Sequence, residues 1–305
     1  MKYFWLHRRS LAIFYSFLFF PLFFAGLASA QAVRVCPGGP TLKASAALAT
    51  QGTLLLAEVV GKTGSPNYTS EWDGKAMPLW REGEKSAVLH GLIGIDLEKA
   101  PGKYEWKISW PGADGKTESC SQTITVRAGK FPIERLTVEK QFVNPDPEQE
   151  KRAAEDQKKM KAIYDTVTPE RLWDGKFRLP LKDITTGRNF GRRRILNGET
   201  RSPHAGVDLP AITGTPVFAS QSGKIMLAED LYYSGNTIVI DHGYGIYTMY
   251  AHLSEIGVKP EEMVQVGQEI GKVGATGRVT GPHLHWGLTI DHARVNAMEI
   301  AQRQP

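Results

Sequence analysis

Hydrophobic and polar positions change rhythm several times along this chain. Leu11 to Leu27 is an uncharged apolar stretch behind a basic start at Lys2, Arg8 and Arg9. Ala28-Ser29-Ala30 then offers small residues where a signal peptidase reads, so residues 1–30 are expected to be a cleaved export signal. A retained membrane anchor is the alternative. About 17 apolar residues is the lower limit for a bilayer span, and Pro21 interrupts them. No Cys follows Ala30, which argues against a lipoprotein. No second long apolar run appears, so the mature chain is expected to be soluble.

Residues 31–142 read as short strands. Thr53 to Val60 and Ala87 to Ile95 are continuous apolar runs. Lys103 to Trp110 alternates, with Tyr104, Trp106, Ile108 and Trp110 on one face and Lys103, Glu105, Lys107 and Ser109 on the other. Asp114-Gly115 supplies a hairpin turn, and Thr123 to Arg127 alternates again. Turn signals at this spacing predict a small β-sandwich. Gly112 to Thr117 ends like a phosphate-binding loop but is too short for one, and reads as the hairpin turn.

Residues 143–175 form a linker with a charged helix. Asn144-Pro145-Asp146-Pro147 opens it with an Asp cap. Glu148/Arg152 and Glu155/Lys159 stand four apart, as pairs along one helix would. Thr168-Pro169 is expected to stop it. Met160, Ile163 and Tyr164 are expected to dock on a neighbour. From 176 to 305 the pattern is again strand-like and punctuated by glycines. Val217, Ile225, Ile238 to Ile240, Tyr247 to Tyr250, Val264 to Val266 and Leu284 to Ile290 are the strand candidates. The expected fold class is mainly β: an N-terminal β-sandwich-like domain, a charged linker helix and a C-terminal Gly-rich antiparallel β domain.

Composition changes this picture little. At 41% hydrophobic and 23% charged residues, the 305-residue chain is ordinary globular material, enough for two domains. Charge changes it more. The net charge of +5 falls to +2 once residues 1–30 are removed, which excludes a dedicated nucleic-acid binder. In an oxidising compartment the lone pair Cys36 and Cys120 is expected to form a disulfide. It would tie the first strand to a late one, closing a loop of about 84 residues and stabilising by about 4–5 kcal/mol on loop entropy.

Candidate chemistry lies in the histidines. Of eight, His7 leaves with the signal and His90 sits in the first domain. His204, His242, His252, His283, His285 and His292 all fall in the last third. In a strand, His283 and His285 project to the same side, with Cβ atoms roughly 6.5–7 Å apart. That suits one ring on a metal and the other on its water. Pro203, Gly206 and Pro210 argue against a helix at His204-Ala-Gly-Val-Asp208, so His204 and Asp208 also share a face, and Gly206 leaves room for a close approach. Two His and one Asp with an open position describe a catalytic zinc site. His242, in Asp241-His242-Gly243, reads as a turn or loop histidine near the groove, and His292 as exposed. Arg192-Arg193-Arg194, with Arg188 and Arg201, reads as a solvated basic loop; its functional version would attract acidic peptides. Tyr232, Tyr233, Tyr244 and Tyr247 are core candidates that could alternatively wall a groove.

The His204-x-x-x-Asp208 and His283-x-His285 motifs resemble those of the M23 metallopeptidases, the LytM or lysostaphin-type peptidoglycan endopeptidases. Gly277 to Trp286 (GRVTGPHLHW) and Tyr250-Ala251-His252-Leu253-Ser254 are also similar to that family. The resemblance covers about residues 185–295. More weakly, residues 87–145 are similar to the β-domain that precedes the peptidase in some exported members. The resemblance implies Zn2+ held by His204, Asp208 and His285, with His283 and His252 as the catalytic pair; which of these two takes the proton stays open. It implies an endopeptidase acting on peptidoglycan peptide cross-links. The export signal at residues 1–30 makes the periplasm the expected location, with secretion as the alternative. The alternative is a non-catalytic module of the same fold that binds cell wall and activates a separate amidase. A regulatory protein partner is left open.

Overall fold

The computed structural model describes residues 31–61, 67–83, 85–136, 146–200 and 202–303. The expected export signal, Asn144, Pro145 and Arg201 lie outside these residues. Among the described residues, no helix is long and apolar enough to cross a membrane. The chain is mainly β, and almost all strand pairing is antiparallel.

Among the described residues, ten strands build the first half: β1 (Ala32–Val35), β2 (Thr41–Ala44), β3 (Leu48–Thr50), β4 (Leu54–Val60), β5 (Thr69–Trp72), β6 (Lys75–Ala76), β7 (Trp80–Arg81), β8 (Val88–Gly94), β9 (Gly102–Pro111) and β10 (Thr117–Arg127). They form two five-stranded sheets, ordered β1-β2-β4-β8-β7 and β3-β10-β9-β5-β6. The alternation in β9 sends Trp106, Ile108 and Trp110 into the space between the sheets, against Leu42, Leu55, Ala57 and Val59. Gly115, at φ +79°, turns the β9–β10 hairpin as the Asp-Gly pair requires. The Cys36–Cys120 disulfide joins the end of β1 to β10, and so ties one sheet to the other.

β4 and β8 read as continuous apolar runs because their sheet is covered on both faces. Leu55, Ala57 and Val59 face the sandwich interior. Leu54 and Leu92 face the other way and, with Trp80 of β7, join the core of the second half.

That half follows β11 (Ile133–Leu136) and α1 (Pro147–Tyr164). It comprises β12 (Arg193–Leu196), β13 (Glu199–Thr200), β14 (Gly206–Pro210), β15 (Pro216–Phe218), β16 (Gly223–Leu231), β17 (Gly235–Asp241), β18 (Ile246–Ile256), β19 (Met263–Val264), β20 (Glu269–Val273), β21 (His283–Ile290), β22 (Ala293–Val295) and α2 (Ala297–Gln302). The main sheet runs β14-β21-β18-β17-β16-β19, with β20 pairing β15 and β18. β11 and β12 pair in parallel, so the Arg192–Arg194 run is not a solvated loop: it enters a small sheet. Arg192 lies 3.5 Å from Glu134 of β11.

Asp146 caps α1, its Oδ1 accepting from the Gln149 amide at 2.9 Å. The helix ends at Tyr164, four residues before Thr168-Pro169, with Asp165 at its C-cap. The expected ion pairs along the helix do not form. Arg152 instead reaches Asp230 of β16 at 2.6 Å, and Lys159 reaches Glu229. Both acids lie on the strand that α1 covers. Met160, Ile163 and Tyr164 dock, as expected, on Leu227, Leu231, Val239 and Tyr247.

Candidate metal centre

Three neighbouring strands bring the motif residues together. Antiparallel register sets Asp208 of β14 opposite His285 of β21, and Pro210 opposite His283. On the far side of β21, Ala251 of β18 stands opposite His285. His204 lies just before β14, its amide donating to the Arg192 carbonyl at 3.0 Å. His252 follows Ala251 at a break in strand register, where φ is +65°. That left-handed backbone is uncommon for a non-glycine residue and re-aims the ring out of strand alternation. Its amide donates to the Ser234 carbonyl at 2.9 Å.

Ligand atoms of His204, Asp208 and His285 all lie within 4.8 Å of one another. Asp208 Oδ1 faces His204 Nε2 at 3.1 Å, His283 Nε2 at 3.4 Å and His285 Nδ1 at 3.5 Å. His285 Nδ1 and His204 Nε2 are 2.9 Å apart. The His252 ring lies 4.9 Å from that of His283 and 5.9 Å from that of His285. All five histidine and aspartate positions singled out by the motifs therefore meet at one site.

The backbone fixes which ring nitrogen faces inward. His204 Nδ1 meets the Asn189 carbonyl at 3.1 Å, His252 Nδ1 that of Thr276 at 3.0 Å, and His283 Nδ1 that of Gly281 at 2.9 Å. A carbonyl only accepts, so each Nδ1 carries the proton and each Nε2 presents a lone pair. Asp208 Oδ1 is buried without a hydrogen-bond partner among the described residues, and the His204 and His283 nitrogens that face it carry lone pairs. Lone pairs converging on a buried carboxylate oxygen are a repulsive arrangement that a cation resolves. The donor set, two imidazoles and a carboxylate, fits zinc.

Burial, reinforced by His285, lowers His252 to about 4. Burial also lowers His285.

One contributor was not legible in the sequence. Asn189 donates from Nδ2 to Asp208 Oδ2 at 2.8 Å, orienting the carboxylate. Its φ of +67° is one that Asn tolerates better than most residues, which is the one trace it leaves in the sequence. Gly206, by contrast, was legible: a Cβ there would stand 2.6 Å from His285 Nε2. The close approach expected at this glycine is made by the His285 ring itself.

The remaining candidates lie elsewhere. His242 is not open to the groove. It is fully buried, with Nδ1 2.8 Å from the Ser222 carbonyl, Nε2 2.7 Å from Thr248 Oγ1, and Phe177 against its face. His292 is exposed near Asp165. Tyr247 is core. Tyr244 stacks on Trp80, 5.8 Å between centroids. Tyr232 hydrogen-bonds Gln149 of α1, whereas Tyr233 is partly exposed.

Residues 202–297 match Peptidase family M23, and the chain carries a peptidase M23 domain there. Peptidoglycan DD-endopeptidase ShyA of Vibrio cholerae is 46% identical over 112 residues, 36% of this chain and 26% of that protein. DD-carboxypeptidase/endopeptidase Mpg of Neisseria meningitidis is 43% identical over 116 residues, 38% of this chain and 27% of that protein. The chain thus spans about a quarter of the length of these curated relatives. A crystal structure from Pseudomonas aeruginosa, assigned to peptidase M23, superposes with a TM-score of 0.59 at 27% identity, covering 83% of this chain and 95% of that one. Coverage that wide takes in much of the N-terminal sandwich.

Proposed function

We infer that this chain is an exported, zinc-dependent endopeptidase that hydrolyses peptide cross-links of bacterial peptidoglycan, acting in the periplasm. One observation carries the reading: a buried carboxylate oxygen ringed by imidazole lone pairs, beside two further histidines whose inward nitrogens are set by backbone carbonyls. Similarity over the matched region to ShyA, a peptidoglycan DD-endopeptidase, and to Mpg, a DD-carboxypeptidase/endopeptidase, supports the substrate class.

His204 Nε2, Asp208 Oδ1 and His285 Nδ1 would hold the ion, with Asn189 orienting the carboxylate. Zinc at that position supplies Lewis acidity, which lowers the pKa of a water and polarises a carbonyl. The protein's own part follows from the tautomers. His283 and His252 both present an unprotonated Nε2 to the site, and burial keeps His252 neutral at pH 7. Neither can donate from Nε2 until it has first taken a proton. One of the pair therefore accepts the proton of the attacking water, and only then can it steady the developing oxyanion or protonate the departing amine. The same proton serves both halves of the reaction.

The test is digestion of purified peptidoglycan by the mature chain with and without a chelator, beside His283→Ala, with fragments analysed by mass spectrometry. Chelator-sensitive cleavage that falls by at least about 100-fold in the variant is expected. Bound zinc without cleavage would move the chain to the amidase-activating module.

A further inference from the structure

The connection from β20 to β21 leaves the sheet at Gly274 and returns at His283, where the two residues bridge. Within that loop the Thr276 carbonyl holds His252 and the Gly281 carbonyl holds His283. One short loop thus sets the direction of both inward-facing imidazoles. Arg278 lies between the two anchors. Its amide donates to the Tyr233 carbonyl at 2.9 Å, and its guanidinium lies over the Tyr233 ring, 4.3 Å from the centroid. Ser234, next in the chain, accepts the His252 amide. The two segments press so closely that a Cβ on Gly277 would stand 2.4 Å from the Gly235 nitrogen. The Arg278–Tyr233 pair is therefore fixed one or two residues from both attachments of His252.

The side chain at Arg278 is exposed, and no carboxylate pairs with it among the described residues. Stacking on an aromatic face holds the guanidinium plane and leaves its edge of N–H donors open. Such an edge is matched by a carboxylate, which it can bind through two parallel hydrogen bonds. Arg192, by contrast, is engaged by Glu134.

We propose that Arg278 is a specificity residue that binds a free carboxylate of the substrate peptide, and that Tyr233 is its positioning residue. The inference rests on the peptidase reading for its substrate class: cell-wall stem peptides carry free carboxylates close to the cross-link. It adds a recognition element on the loop that sets the two histidines, so binding of the acidic peptide and orientation of His252 share one piece of chain.

The probes are two cross-linked stem peptides that differ only in having their carboxylates free or amidated. Binding is measured by calorimetry on the zinc-loaded full chain carrying His283→Ala, with and without Arg278→Gln. Hydrolysis is followed in parallel for chains with intact His283. The free acid is expected to bind about tenfold more tightly than the amide. Arg278→Gln should bind the two alike, and Arg278→Lys should recover part of the preference. In hydrolysis, the loss should fall on KM for the free acid, with kcat and zinc content unchanged. A preference that survives Arg278→Gln overturns the proposal. So does an equal fall in kcat for both peptides, which would make Arg278 only a prop for the loop. A binding preference that disappears in Arg278→Gln, in a chain that hydrolyses neither peptide, supports the carboxylate site and sinks the peptidase reading instead.

Discussion

His242 is buried and His285 half-buried in the second half, yet only His285 belongs to the metal centre. His285 shares a strand face with His283 and meets Asp208 across the register. His242 is spent on the interior, bonded at both nitrogens to Ser222 and Thr248. Spacing distinguishes them, because His-x-His in a strand fixes a shared face, whereas a lone His at a turn fixes nothing. Asn189 had no such signature, since its contact with Asp208 spans 19 residues and depends on a left-handed backbone. Burial lowers His242 from its ordinary 6.5 to about 4. The unfolded chain takes up this proton near pH 6.5 and the folded chain only near 4. Between those values the unfolded state binds more protons, so this contribution is full above about pH 6.5 and is lost as pH falls towards 4. It amounts to about 1–3 kcal/mol. His242→Gln should flatten the pH dependence of denaturant stability by that amount over this interval. A slope equal to that of the unsubstituted chain would contradict the assignment of His242 as a neutral core residue.

At the scale of elements, period-2 alternation placed β9 correctly because one of its faces is polar. The continuous runs of β4 and β8 were equally legible as strands, but not the reason for them: the second half covers their outer face. α1 shows the opposite limit. Its Glu–Arg and Glu–Lys spacings suit pairing along the helix, yet Arg152 and Lys159 turn to Asp230 and Glu229. A partner brought in by tertiary packing competes with one four residues away, and local spacing cannot reveal it. Exposed ion pairs contribute little, so Arg152→Gln and Lys159→Gln should each leave denaturant stability nearly unchanged. The apolar seam matters more. The Tyr164 ring meets Tyr247 edge-on at 5.4 Å, and Met160 and Ile163 lie beside it. Tyr164→Ala should cost about 2–3 kcal/mol and loosen α1 from β16, seen as faster amide exchange along the helix. If the two charge substitutions cost more than Tyr164→Ala, the seam is not what holds the helix.

At the scale of the molecule, the two halves share a core. Trp80 of β7 packs edge-on against Trp173 at 5.2 Å and stacks on Tyr244. A Cβ on Gly94 would stand 2.8 Å from that of Ala293, so β8 is pressed against the β21–β22 turn. Arg294 grips Asp96 through Nε and Nη2 at 2.9 and 2.8 Å, and reaches Glu98 at 2.9 Å. Burial would raise the Asp96 carboxyl, but hydrogen bonds from Arg294 outweigh it and hold it below 3.8. That stabilisation is present above the ordinary carboxylate pKa and is lost as pH falls through the lowered one. Removing the sandwich would expose Trp173, Ile290 and Ala293, which are buried in the intact chain. A truncated chain would therefore test folding before it tested function. Arg294→Ala is the sharper probe, because it strands Asp96 at the junction while leaving both sheets and the site intact. One cooperative unfolding transition is expected for the unsubstituted chain, reported alike by the tryptophans of the sandwich and by release of metal from the centre. Arg294→Ala should lower that single transition by about 2–3 kcal/mol. Two separated transitions in the unsubstituted chain would show that the sandwich and the M23 domain fold independently, and that their shared core does not couple them.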